Sequence, residues 1–205
     1  MKSQRAELVA DTAIGLLVER GMRGLTHRAV DEAAGLPPGS TSNLARTRSA
    51  LLELALARLT QLEAAVFQPV LSAAEPGDLD ALAEMTAQAL WAQLTVGRGS
   101  TIARYELALE ATRRPELRRI YDRLGERFRE PAVAILSAAG SSDPVRHARQ
   151  VFAFSEGVMF DAVVGAGAEP TLDDLRLGVR EFLRGMLGGE DLRGGPGGVF
   201  SGEGP

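Results

Sequence analysis

The sequence predicts an all-α protein of about nine helices, with a small three-helix unit at the N-terminus and a larger helical body behind it. Two observations carry this. Apolar residues recur three and four positions apart in one segment after another, the repeat of a helix with one buried face. Alternating apolar and polar runs are absent and β-branched residues are few, so no strand is predicted.

The elements follow in order. Residues 5–20 place Leu8, Ala13, Ile14, Leu17 and Val18 on one stripe, stopped by Gly21. "GLTHRAVDEAAG" offers Thr26 as an N-cap and Ala29, Val30 and Ala33 as an inward face, closed by Gly35. A third short helix lies in "AGLPPGSTSNLARTR", its first turn set by Pro37 or Pro38. Residues 49–71 form a long striped helix that Thr47 or Ser49 can cap. Further helices are predicted over 79–96, 101–113, 116–139, 144–165 and 172–187. Pro115 and Pro144 sit in first turns, Asp143 can cap, and "TLDD" sets Asp174 three residues after the cap Thr171. Pro131 should kink or break its helix. These spans divide the chain into a head at 1–48, a body at 49–188, and a Gly-rich tail at 189–205 expected to be disordered.

Composition narrows the function. Hydrophobic residues make up 45% and charged residues 24% of 205, the balance of a soluble globular protein. The net charge is −4, yet residues 1–60 hold eight Lys/Arg against six Asp/Glu, a mildly basic head on an acidic body. There is no cysteine, hence no disulfide or thiolate chemistry. No run approaches the ~20 apolar residues of a membrane span, and no leader is apparent, so the default compartment is the cytoplasm. No metal or cofactor site stands out, and with two histidines and no phosphate-cradling loop or nucleophile elbow the residues argue against an enzyme. Asp173 and Asp174 read as first-turn helix charges; His27 and His147 read as solvated.

The polar segment needs a reason. Gly35 permits a turn, Leu36 can anchor it, Leu44 can face inward, and Ser40, Thr41, Ser42 and Asn43 can donate to phosphates or base edges. Arg46, Thr47 and Arg48 flank the next helix, where arginines can clamp a DNA backbone. Spacing alone allows either a helix-turn-helix or an ordinary capped surface loop.

Residues 5–60 resemble the DNA-binding region of the TetR family of one-component transcriptional repressors, through "ERG" at 19–21, "GLT" at 24–26, "AVDEAAGL" at 29–36, Gly39 and "ALL" at 50–52. "LPPGSTSN" and "RTR" look like an actinomycete subgroup variant, and "ARYELALEATRRPELRR" at 103–119 resembles a ligand-domain segment of that subgroup. The resemblance implies that Thr26 and Arg28 touch phosphates, that residues 40–43 enter the groove, and that Arg48 stands for a backbone-holding Lys. Ser42 and Ala45 depart from the family, which often has aromatics there.

For the body, the resemblance implies a small-molecule effector, unidentified, and a homodimer through the last two helices on a palindromic double-stranded operator. Met85, Trp91, Arg104, Tyr105, Leu109, Phe152, Glu156, Met159 and Phe160 are the candidate effector contacts, with plain core packing the competing reading. Arg104 and Glu156 need each other or a ligand if buried. Val151, Phe154 and Val158 on one helix, and Leu172, Leu175, Val179, Phe182 and Met186 on the next, exceed what one core needs. An activator of the same fold, or a helical interaction protein without DNA binding, are the alternatives.

Overall fold

A computed structural model describes residues 2–72 and 78–188; the tail expected to be disordered lies outside the described residues. Among these residues the structure has nine helices and no strand: α1 (Lys2–Gly24), α2 (His27–Ala33), α3 (Ser40–Leu44), α4 (Arg48–Ser72), α5 (Leu79–Leu94), α6 (Arg98–Ala111), α7 (Pro115–Ala138), α8 (Pro144–Val163) and α9 (Leu172–Leu187). No helix among them is long and apolar enough to cross a membrane.

Local chemistry explains most boundaries. Thr26 accepts from the Ala29 N–H and starts α2; Asp143 accepts from Arg146 and starts α8. Thr171 and Asp174 exchange hydrogen bonds as a reciprocal capping box at α9. Thr47, rather than Ser49, caps α4 through the Ala50 N–H at 3.1 Å. The prolines 37 and 38 do not start α3: Gly39 is its N-cap, at φ 86°, a conformation L side chains resist. At Gly21 (φ 62°, ψ −170°) α1 bends out of helical geometry and resumes for one turn to Gly24. Helix α7, in contrast, runs through Pro131 without a break. The carbonyl that Pro131 leaves without a donor belongs to Arg127, and both residues face solvent, so water can satisfy it.

Two apolar cores result. The first joins α1, α2 and α4 to α6 and the start of α7, through Leu17, Leu25, Val30, Leu51, Leu52, Leu59, Leu107 and Leu117, each at most 1% exposed. A leucine so buried contributes about 1.5–3 kcal/mol. On α1 the buried stripe is Val9, Ala13, Leu16 and Leu17; Leu8 and Val18 turn to solvent, a shift of one position from the expected face. Ala33 of α2 is likewise exposed. The second core gathers α5, the end of α7, α8 and α9 around Leu90, Leu136, Met159, Val179 and Leu183. Helix α5 packs most extensively against α9, and ion pairs line that contact: Arg176 to Glu84, and Arg180 and Arg184 to Asp80.

Candidate functional site

Helix α3 has five residues, too few to hold a helical conformation unaided. Asp31 of α2 holds it. Its carboxylate accepts from the Gly39 N–H (2.8 Å), the Thr41 N–H (2.7 Å) and the Thr41 hydroxyl (2.6 Å). Burial pushes the Asp31 carboxyl up, but these hydrogen bonds outweigh it and keep the group below the usual carboxylate range. Ser40 donates to the Pro37 carbonyl and accepts from Arg5 at the start of α1 (2.7 Å). Behind the helix, the His27 Nε2 bonds the Ala45 carbonyl at 2.6 Å. His27 is therefore half-buried and structural rather than solvated.

This scaffold sorts the candidate DNA contacts. Ser42 and Asn43 are exposed on α3, as are Thr26 and Arg28 on the α2 side and Arg46 and Thr47 before α4. Thr41 is fully buried on Asp31 and cannot enter a groove; Ser40 is 6% exposed, its hydroxyl engaged between Arg5 and Pro37. Leu44 is 38% exposed and Ala45 is buried, the reverse of the inward Leu44 expected. The small Ala45 takes the inward position at the end of the helix, and Leu44 is turned outward. Arg48 is half-buried, its guanidinium donating to the Met22 carbonyl (2.6 Å) and the Leu25 carbonyl. It thus closes the end of α1 instead of reaching out to phosphate.

Glu106 of α6 meets the same corner, accepting from the Met22 N–H at 3.2 Å. Asp31, Arg5 and Glu106 escaped the sequence reading. Asp31 alone left a signal, a charge beside Val30 on the inward face of α2; the partners of Arg5 and Glu106 are 35 and 84 residues away.

In the body, Arg104, Tyr105, Glu156 and Phe160 converge. The Arg104 guanidinium makes a two-pronged pair with Glu156 (2.9 and 3.1 Å) and lies 4.8 Å from the centre of the Tyr105 ring. Tyr105 donates to Glu156 at 3.3 Å and meets Phe160 edge-on at 5.4 Å. Burial and the Glu156 carboxylate push the Tyr105 hydroxyl up to about 12. Two further members come from helices that supplied no candidate: Glu63 of α4, 3.0 Å from the Arg104 Nε, and Tyr121 of α7, 3.3 Å from its Nη1. Burial, opposed by Arg104 and reinforced by Glu156, pushes the Glu63 carboxyl up to about 7.

The other candidates lie elsewhere. Met85 and Met159 belong to the second core. Trp91 lines a separate cleft of about 190 Å3 with Leu94, Arg98, Ala162 and Glu169. Leu109 is 58% exposed and turns to solvent, so it lines no enclosed site; Phe152 is half-buried. His147 is not solvated either: it is 2% exposed, its Nδ1 2.7 Å from the Ser141 hydroxyl.

A short polar helix presented by a three-helix head, on a larger helical body, defines a helix-turn-helix transcriptional regulator. Residues 77–189 match the family model described as tetracyclin repressor-like, C-terminal domain, and the chain belongs to the TetR family of DNA-binding transcriptional regulators. No curated protein matches it. Among solved structures, SCO7518 of Streptomyces coelicolor A3(2) is 25% identical, with TM-score 0.74 over 90% of this chain and 98% of its own. SCO1917 of Streptomyces coelicolor A3, a TetR family member, is 27% identical, with TM-score 0.69 over 90% and 98%. The multidrug binding protein EbrR, complexed with ethidium, is 28% identical, with TM-score 0.68 over 89% and 98%.

Proposed function

We propose that this regulator is a repressor: a homodimer that binds a palindromic operator through residues 1–48 and leaves it when a small molecule binds the body, residues 49–188. The observation that carries the DNA-binding part is the exposed set Ser42, Asn43, Arg28 and Arg46 around a helix whose other face is locked to Asp31. Thr26 and Thr47 cap helices with their hydroxyls and still face solvent, so they join this set. Ser40, Thr41 and Arg48 support it from inside.

For the effector, the group Arg104, Tyr105, Glu156 and Phe160 is the best-supported contact surface, because it combines aromatic faces with charge. EbrR binds ethidium, a flat aromatic cation, and a group with two carboxylates and one guanidinium suits a ligand of that kind. Dimerisation is supported by α8 and α9. Phe154 and Phe182 stack at 4.4 Å while both stay half-buried, and Val151, Val158 and Met186 are half-buried beside them. Val179 and Leu175, in contrast, are used up in the chain's own core.

Binding to DNA from upstream of the protein's own gene, followed by fluorescence anisotropy, tests the reading. Affinity should fall steeply with salt as phosphate contacts release counterions. Asn43→Ala should relax sequence preference at one base pair, costing about 1–3 kcal/mol there. Salt-independent binding, or none to any upstream fragment, sinks the proposal.

A further inference from the structure

Glu63 lies on α4, about four turns from the start of that helix, which Arg46 and Thr47 immediately precede. Its side chain is 10% exposed and that of Arg104 13%, while Glu156 is 44% exposed. Two carboxylates share one guanidinium, so with both ionised the group carries a surplus negative charge, and Glu63 holds its part of it where water barely reaches. Such a charge is strongly disfavoured. Glu156 has two Arg104 N–H bonds, the Tyr105 hydroxyl and partial access to water. Glu63 has the single Arg104 Nε contact and the deeper burial, so the proton that relieves the surplus settles on Glu63.

The surroundings isolate this exchange. Helix α6 contributes Arg104 and Tyr105, α7 the Tyr121 hydroxyl and α8 Glu156. Helix α1 directs Asp11 at Arg58, with Glu7 behind it, and α5 directs Asp80 and Glu84 at arginines of α9. Glu106 and Glu110 of α6 are engaged at Met22 and at Arg113 and Arg114, and Arg118 of α7 at Asp122. Arg104 and Glu156 are thus the charges that answer Glu63.

We propose that Glu63 is a proton-operated positioning residue: ionised, it ties the head-bearing helix α4 to Arg104 on α6 and through it to Glu156 on α8, and protonated it loosens that tie. Operator affinity therefore depends on pH through a residue far from the DNA. The inference rests on the DNA-binding reading above. With the Glu63 carboxyl up at about 7, the exchange falls near neutrality. The sign for stability follows. The folded group holds its proton more tightly than the ordinary carboxyl at 4.5, so its contribution to stability is full below that value and is lost as pH rises through about 7.

Wild type and Glu63→Gln, an isosteric stand-in for the protonated form, decide the matter between pH 6 and 8. In the wild type, operator affinity should change several-fold over this range, and in Glu63→Gln the change should flatten. Any other pH-dependent contribution is common to both proteins and cancels. Hydrogen exchange on the full chain without DNA should show protection at Met22–Gly24 rising with pH in the wild type, as the ionised tie forms, and staying level in the variant, after correction for intrinsic rates. Thermal melts should show Glu63→Gln gaining on the wild type toward pH 8. Parallel pH profiles for the two proteins overturn the proposal. So does a difference confined to the melts, which leaves Glu63 an ordinary core ion pair. If no operator binds at any pH, the DNA-binding reading fails, and hydrogen exchange alone still decides whether Glu63 positions the head.

Discussion

Asp31 shows how much of the head depends on one carboxylate. Three donors from two residues of the following turn and helix meet it, and hydrogen bonds to a charged group are worth about 1.5–3 kcal/mol each. Asp31→Ala leaves the buried Thr41 N–H and hydroxyl without that acceptor, so the expected loss is at least about 2 kcal/mol, measured by denaturant unfolding. Operator binding should fall with it, although Asp31 touches no base. The pH dependence runs opposite to that of Glu63. The carboxyl is held below its ordinary 3.8, so its contribution is present above that value and disappears as pH falls through the still lower folded one. A head that stays folded in Asp31→Ala at wild-type stability would contradict this account.

At the scale of elements, the two arginines before and at the start of α4 separate cleanly. Arg46 is exposed and free to reach a phosphate, whereas Arg48 closes α1 through the Met22 and Leu25 carbonyls. Arg46→Ala should lower the slope of log affinity against log salt by about one contact's worth, roughly 0.9. Arg48→Ala should weaken binding with the slope nearly unchanged and lower the melting temperature. Salt titrations of the two variants distinguish them; equal slope losses would return Arg48 to the phosphate. The sequence made the helices legible because caps, prolines and apolar spacing are local signals: Thr26, Asp143, Pro144 and Thr171 act as expected. It also made Arg104 and Glu156 legible as a pair, since two opposite charges on apolar stripes have few alternatives. It could not separate Arg46 from Arg48, or Ser42 from Thr41, because those differences arise from contacts that cross the chain. The burial of Thr41 depends on Asp31 ten residues earlier, and the role of Arg48 on a carbonyl 26 residues away.

For the whole molecule, the first core crosses from the head into α6 and α7, so the head is not free to reorient without disturbing Leu107 and Leu117. The second core leaves Phe154 and Phe182 stacked and half-buried at the α8–α9 surface. Phe182→Glu should therefore convert the proposed dimer into a monomer in sedimentation at micromolar concentration and abolish binding to a full operator. Both effects should appear with α5 and α9 still joined by their ion pairs. A monomeric wild type would remove the dimer from this picture.

Leu44, turned outward at the end of α3, has a consequence for the DNA itself. A leucine in the major groove offers only methyl groups, and the base edge that answers it is the C5-methyl of thymine. Synthetic operators carrying deoxyuridine in place of single thymidines remove that methyl and nothing else. One such position should weaken the wild type while leaving Leu44→Ala indifferent. If it does, this protein distinguishes bases partly by their oiliness, a form of reading that salt does not screen.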